Sequence, residues 1–561
     1  MTEWDTGGQV ICKFSFPGNG AAMGSIDDRT KTLYLFTRRV CPKPSTSLQQ
    51  IITFTYPKVL QAMKQCIRFI AVILCTQFAC FAQVPADTIC ILQLNDVYEI
   101  GPLSQGKLGG MARVATVIKQ HEARYQTFVV LAGDFVSPSV MGTTKIDGQK
   151  VNGRHMVDLM NKVGVDLVTF GNHEFDIPEN DLQQRINESQ FAWVSSDVLH
   201  KNSSGMVAPF YKTKPDSAVV PAFFQLASAN RQFTIGFVTA TIQSNPQPWV
   251  VYGNHLEAIK KAVKQVKKQS DIVVGLTHLS LQEDENILRK VKRLPLIMGG
   301  HEHQRHYGII GKAAIAKADA NAKSMYRHLV FKSGSRGKIK IVSELINLDT
   351  TVMADAGVAA LVKEWENNAY KAFRAIGLEP DAVVYHTPEP LDGTEASVRH
   401  KQTNLGGLIT KAMLAASPSA DAAVFNSGSI RIDDMIEGVI TQLDIIRTLP
   451  FGGRLCEVDL TGSLFSQMLS VGNSLKGLGG YLQLSNNINF DGTNWLLNHQ
   501  PLDATKTYKI VTPEFLFGGT EKGLEFLKEG NYGIKLLKRF NEPGDIRADL
   551  RLALVKYLSG L

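Results

Sequence analysis

The feature that most constrains this chain is a cadence. Between residues 88 and 303, short apolar runs rich in β-forming residues alternate with helix-period segments, and each run ends in a polar cluster. TICILQL leads to Asp96, and TFVVLAGD ends at Asp134. GVDLVTFGNHEFD carries Asn172, His173 and Asp176. DIVVGLTH ends at His278, and PLIMGGHEH closes on His301, Glu302 and His303. MARVATVIKQHEARY and GRHMVDLMNKV supply helical periodicity between the runs. Continuously apolar strands separated by helices read as a layered α/β domain. In such domains chemistry gathers at the carboxyl ends of strands, which is where the Asp, Asn and His residues stand.

A chain of 561 residues exceeds what one core organises, so at least two domains are expected. Residues 86–348 form the α/β domain. Residues 349–380 are a linker carrying a helix (DAGVAALVKEWENNAYKAFRA), and 381–561 are a second mixed α/β domain. Its strands are read at DAVVYHT, DAAVFN, RLCEVDL and TYKIVTP, its helix at LGGLITKAML, and it holds no metal-ligand cluster of its own. With 44% hydrophobic and 20% charged residues, the composition is that of a globular protein rather than a disordered one. The formal charge of +8 is concentrated early. The first 82 residues hold 9 basic against 4 acidic side chains, so the remainder carries +3. That balance, without a basic run, argues against a nucleic-acid partner and for a small-molecule substrate. No sequence feature sets an oligomeric state.

Met63 opens a second pattern. MKQCIRFIAVILCTQFACFAQVPADT places Lys64 and Arg68 before an apolar run that reaches Phe81, which is the arrangement of a secretory signal peptide over residues 63–82. The run is shorter than the roughly 20 apolar residues a spanning helix needs, so no stable membrane span is expected. Cys80 sits in a poor lipobox, and cleavage after Ala82 takes precedence over lipid attachment. Residues 1–62 show no coherent hydrophobic period and read as an over-called extension ahead of the true start. The mature protein is thus expected in the periplasm or secreted. Of seven cysteines only Cys90 and Cys456 follow the cleavage point, too few for a disulfide framework. Cys90, inside an apolar strand, reads as a small core hydrophobe.

Carboxylate, amide oxygen and imidazole together form the donor mixture of hard and borderline divalent ions. A carboxylate such as Asp134 can bridge two ions about 3.5–4 Å apart, which clamp a phosphate and lower the pKa of bound water. Gly133, Gly171, Gly299 and Gly300 precede the ligands and allow sharp turns close to the ions. His155, His200, His255, His306 and His328 lack such a setting and read as packing or surface histidines.

The ordered set D, GD, GNHEFD, H, GHEH resembles the calcineurin-like metallophosphoesterases. With TNLGGLI, NSGSIR and LPFGG in the second domain, the chain resembles the 5′-nucleotidase family, over residues 88–545. The resemblance implies a four-layer αββα metallophosphoesterase domain followed by a mixed α/β 5′-nucleotidase C-terminal domain. It implies two divalent ions of the Mn, Zn, Mg or Co class. Asp96, Asp134 and His303 would hold the first, and Asp134, Asn172, His278 and His301 the second. His173, oriented by Asp176, would be the catalytic pair. Arg399 and Arg431 would grip phosphate, and Phe451 and Phe515 would stack on a base.

The chain departs from the family where LNDVYEI puts Tyr98 in place of the first ion's usual histidine. Positions 96 and 98 share a face on a strand end. Tyr98 then either binds as phenolate to an acidic ion such as Fe(III), or leaves that ion one ligand short, or marks an inactive site. In the second domain Glu395 replaces a common third arginine, Gly453 a base-contacting asparagine, and Thr520 the aspartate of a GGDGY motif. The expectation is an exported metal-dependent phosphohydrolase acting on nucleoside monophosphates or related esters by attack of metal-activated water. The alternatives are a cyclic nucleotide or nucleotide-sugar phosphodiesterase or pyrophosphatase, and a non-catalytic binder of phosphorylated ligands.

Overall fold

The computed structural model describes strands within residues 2–55 and all of residues 87–561 except 147, 214–216, 245, 334–336 and 543. The expected signal peptide at 63–82 lies outside the described residues. The chain divides into two compact units, Met1–Val84 and Pro85–Leu561. In the first, five strands (Thr2–Trp4, Val10–Phe16, Gly20–Asp27, Thr32–Thr37 and Ile52–Thr55) pair in sequence order as an antiparallel meander.

The second unit opens with two six-stranded sheets. One runs Ala192–Val194, Leu167–Thr169, Gln126–Leu131, Ile89–Leu94, Ser324–Ser333, Lys338–Asn347 in spatial order. The other runs Phe223–Ala227, Thr234–Thr241, Ile272–His278, Leu296–Gly299, Ala313–Lys317, His306–Ile310. Ile89–Leu94, Gln126–Leu131, Leu167–Thr169 and Ala192–Val194 are mutually parallel, as are Thr234–Thr241, Ile272–His278, Leu296–Gly299 and Ala313–Lys317. Two parallel sets therefore deliver their carboxyl ends to one edge.

Alternation along one strand shows why its sequence is apolar throughout. Ile89 and Ile91 face the second sheet and pack with Phe237, Val274 and Met298, whereas Cys90, Leu92 and Leu94 face helices and pack with Val114, Ile118 and Met156. Both faces are buried, so no polar alternation appears. Burial pushes the Cys90 thiol up to about 12, in keeping with a packing role. Helices His255–Val266 and Leu281–Lys290 cover the outer face of the second sheet. Helices Met111–Glu122 and Arg154–Val163 cover that of the first. The order helix, sheet, sheet, helix is the four-layer arrangement that the family resemblance implies.

A buried polar tie crosses between the sheets just below the site. The Gln93 amide donates to the carbonyls of Gly299 (3.1 Å) and Ala316 (2.9 Å) on the other sheet. Its oxygen lies 2.9 Å from His328 Nε2, and His328 Nδ1 lies 2.8 Å from Ser343 Oγ. Burial lowers His328 to about 3, so the ring is neutral: its Nε2–H donates to Gln93 and its Nδ1 accepts from Ser343. His155, likewise lowered to about 3 by burial and by Arg185, pairs with Ser139 at 2.8 Å. Both histidines are structural, as the sequence suggested.

The helix expected inside the 349–380 linker spans Ala356–Arg374, yet it is not a free bridge. Val358, Val362, Ala369, Tyr370 and Phe373 join the core beneath the first sheet, and Trp365 donates to Asp158 at 2.9 Å. Its apolar stripe makes it the third helix of that outer layer. Beyond it, a mixed five-stranded sheet orders Leu482–Leu484, Ala422–Asn426, Thr507–Pro513, Leu455–Thr461, Ile534–Arg539. Asn404–Ala416 and Leu550–Leu558 cover one face, and Gly462–Ser474 the other.

Candidate metal centre

Each ligand loop turns directly off a strand, and the turns are tight enough to force unusual backbone. Asp96, Asp134 and His301 have φ of +52°, +57° and +85°, a left-handed region that non-glycine residues adopt at a cost and that concentrates at functional sites. Glycine spacing follows from crowding. A Cβ on Gly171 would collide with Asp134 Oδ1, and one on Gly300 would sit 2.5 Å from the Ala132 carbonyl and 2.8 Å from His278 Nδ1.

Asp96, Asp134 and His278 bring donor atoms within 4.8 Å of one another, all buried. Asp134 Oδ2 stands at the junction of two groups. On one side His278 Nε2 lies 3.1 Å away. On the other the Tyr98 hydroxyl lies 3.0 Å away, with His303 Nε2 3.0 Å and Asp96 Oδ1 3.4 Å from that same hydroxyl, and His303 Nε2 3.6 Å from Asp96 Oδ1. Donor atoms about 2.1 Å from one ion stand roughly 3.0–3.4 Å apart, so this second group has the spacing of a coordination shell. Asn172 Oδ1 and His278 Nε2 are buried with no hydrogen-bond partner among the described residues. The His278 Nε2 contact with Asp134 is close but not aimed as a hydrogen bond. Two orphaned donor atoms beside a shared carboxylate fit a metal. His278 Nδ1 is fixed by the Ala132 carbonyl at 2.7 Å, which turns Nε2 toward the place an ion would take. His301 lies against His278, ring centroids 5.4 Å apart.

The electrostatics agree. Burial disfavours charge on every group here, yet Asp134 is held well below the usual carboxylate range by His278 and His173. Against burial, Asp134 and Asp96 raise His278 to about 9, and Asp176 and Asp134 raise His173 to about 9. Burial, helped by Asp134 and Asp96, pushes the Tyr98 phenol well above its usual value. His301 is lowered by burial and by His278, which keeps it neutral. The anionic cluster draws protons onto its histidines, and a cation bound there would release them.

His173 Nδ1 pairs with Asp176 at 2.6 Å, and its backbone N–H donates to Asp134 Oδ1 at 2.8 Å. Arg431, from the second domain, reaches Asp176 at 3.1 Å and lies over the Phe451 ring at 5.6 Å. Arg399 does not reach this cluster in the same way: it pairs within its own domain with Glu395 at 3.3 Å. Glu395 itself lines the small cleft formed by Tyr98, His173, His303, Arg431 and Asp433. Phe451 and Phe515 are 59% and 53% exposed, as rings awaiting a partner would be.

Three supporting residues escaped the sequence reading. Glu174, inside GNHEFD, is buried and turned away from the ligands. It accepts backbone N–H bonds from Asp134 (2.9 Å), Phe135 (2.8 Å), Val136 (3.1 Å) and Gly171 (2.6 Å), tying two ligand loops together. Asn95 donates to Asp96 Oδ2 at 2.8 Å and exchanges bonds with the Ala318 backbone. Asp433, from the second domain, lies 2.8 Å from His303 Nδ1. Glu302 also has a supporting role, pairing with buried Lys317 and the Leu281 N–H.

Comparison with known proteins agrees with this geometry. Residues 90–305 match the family described as calcineurin-like phosphoesterase, and residues 383–529 match that described as 5′-nucleotidase, C-terminal domain. The chain is similar to the trifunctional nucleotide phosphoesterase protein YfkN of Bacillus subtilis, 25% identical over 79% of this chain but spanning only 33% of that relative's length. It is also similar to the snake venom 5′-nucleotidase of Gloydius brevicauda, 27% identical over 78% of this chain and 82% of the relative. Among solved structures, the 5′-nucleotidase precursor from Thermus thermophilus shares the fold. Its TM-score is 0.62 at 22% identity, covering 84% of this chain and 96% of that one.

Gly171→Ala tests the crowding around Asp134. Gly171 is outside the left-handed region, but the added methyl would meet Asp134 Oδ1 and lie 2.7 Å from Asp134 N, so it displaces the carboxylate together with the loop that carries it. The expected result is a folded protein whose metal affinity falls by about 10–100-fold, the size of effect seen when ligand support is lost, read by elemental analysis after dialysis at limiting free metal. Unchanged metal content would refute the arrangement.

Proposed function

The chain belongs to the 5′-nucleotidase family, joining a calcineurin-like phosphoesterase domain to a 5′-nucleotidase C-terminal domain, and on that premise we propose that this hydrolase releases phosphate from nucleoside monophosphates or related esters at a two-ion centre. The observation that carries the reading is Asp134 Oδ2, placed between His278 on one side and the Tyr98, His303 and Asp96 donors on the other. Asp96, Asp134, His303 and Tyr98 would hold the first ion. Asp134, Asn172, His278 and His301 would hold the second. When bound, such ions supply Lewis acidity and a water of lowered pKa beside the phosphate.

The chain's own residues do the rest. Asp176 engages His173 Nδ1, fixing the tautomer and leaving Nε2–H to donate to the phosphoryl group as charge develops there. Arg431, beside the same carboxylate, offers its fork to phosphate oxygens. Phe451 and Phe515 present exposed faces on which a base of any identity can stack. His173→Ala is expected to lower turnover by about 10²–10⁴-fold with metal content unchanged, in a phosphate-release assay on nucleoside monophosphates. Equal turnover would sink the assigned role.

Tyr98 bears on the first ion. Its hydroxyl lies inside the donor set while its surroundings hold it protonated, so an ion that binds it as phenolate must be strongly acidic, with Fe(III) the best fit. Divalent ions of the Mn, Zn, Mg or Co class suit the second position. Iron-loaded protein is expected to show a visible charge-transfer band that Tyr98→Phe abolishes. A colourless iron complex would exclude phenolate ligation.

One observation favours a second substrate class. Glu395 lines the cleft and occupies Arg399, an arrangement that suits a less charged ester such as a cyclic nucleotide or a nucleotide sugar. A product screen across monoesters, cyclic diesters and nucleotide sugars separates these readings. Capture of such ligands without turnover would instead mark a binding protein. Export completes the proposal. It rests on the signal-like residues 63–82, and the described residues contain no helix long and apolar enough to cross a membrane. The protein recovered from its source is expected to begin at Gln83 on N-terminal sequencing, and residues from 1–62 in that product would refute the assignment.

A further inference from the structure

The segment that follows the strand Ala422–Asn426 leans onto the first domain at three side chains. Arg431 bonds Asp176 at 3.1 Å, Asp433 Oδ2 lies 2.8 Å from His303 Nδ1, and Lys323 donates to Asp434 Oδ2 at 2.6 Å. The middle contact differs from the outer two because its partner is a residue of the metal centre. The two ring nitrogens of His303 are divided between domains. Nε2 points into the donor set, 3.0 Å from the Tyr98 hydroxyl and 3.6 Å from Asp96 Oδ1, and Nδ1 faces Asp433.

Asp433 is itself held for this task. Its φ of +42° is left-handed, a conformation that persists in a non-glycine residue only where its surroundings fix it. Its other oxygen accepts the Glu395 N–H at 2.5 Å. A carboxylate on the far nitrogen of a ligating imidazole fixes the ring's tautomer and direction and strengthens it as a donor. Here that carboxylate comes from a different domain than the ligand.

We propose that Asp433 is a positioning residue for the first ion, supplied by the second domain, so that this half of the centre reaches full affinity only while that domain lies against the first as it does here. Because Arg431 in the same segment bears on Asp176, and through it on His173, one approach of the segment orients both the first ion's histidine and the catalytic histidine. The second ion's ligands, Asp134, Asn172, His278 and His301, all belong to the first domain and are independent of it. The inference rests on the two-ion reading above.

The test is metal binding by the full chain, measured as two separate affinities by competition against a chelator, for wild type, Asp433→Asn and Asp433→Ala. Asp433→Ala is expected to weaken the first ion by about 10–100-fold with the second ion unchanged, which also reports that the variant is folded. Asp433→Asn keeps an oxygen that can accept from Nδ1–H and is expected to lose less. Wild-type affinities at both positions in Asp433→Ala overturn the proposal, as does an equal loss at both. A wild-type protein that binds fewer than two ions overturns the two-ion reading, and this inference with it.

Discussion

A carboxylate buried where the parallel strands of two mixed sheets end governs the first domain. Asp134 is almost wholly removed from water, and a charge so placed survives only if its surroundings replace the solvent. The His173 N–H and the Tyr98 hydroxyl bond it, and His278 stands beside it. Around that requirement the upper edge of the domain takes its shape. Gly171 and Gly300 are small because the carboxylate and His278 leave no room, three donor residues accept left-handed backbone, and Glu174 gathers four N–H groups to keep the loops in register. Beneath it the Gln93 amide bonds Gly299 and Ala316 of the other sheet, while His328 on the neighbouring strand holds the Gln93 oxygen.

The two domains are joined in contrasting ways. The connecting helix Ala356–Arg374 buries its apolar stripe in the core of the first domain, and that core also takes in Ile446 from the second domain. Nearer the site, charged contacts join them: Arg431 with Asp176, Asp433 with His303, Asp434 with Lys323, and Arg447 with Glu99 at 3.9 Å. These side chains are mostly buried, so each pair offsets its lost hydration through its geometry.

Much of this was legible in the sequence. The run around Cys90 announced a strand buried on both faces, and the structure places it between the helices and the second sheet. The strand-end series of Asp, Asn and His residues from Asp96 to His303 is legible because each follows its own strand within a few residues, so local pattern carries it. His155 and His328 were set aside as packing residues, and burial with neutral hydrogen bonds bears that out. The linker helix was placed correctly along the chain, but its role was not, since an amphipathic period does not say which core it will join.

The sequence by itself determined a layered α/β class and the strand-end order of the Asp, Asn and His residues, because strand periodicity and strand-end chemistry are written in consecutive residues; the four-layer form and the oddity at Tyr98 came from the family resemblance. Only the tertiary structure decided what Tyr98 touches, that Glu174 serves the backbone rather than a ligand, and that Asp433 reaches His303. Each of those depends on side chains brought together from separate loops or from both domains. Such contacts follow from how the layers pack and where the domains meet, and no local period records either.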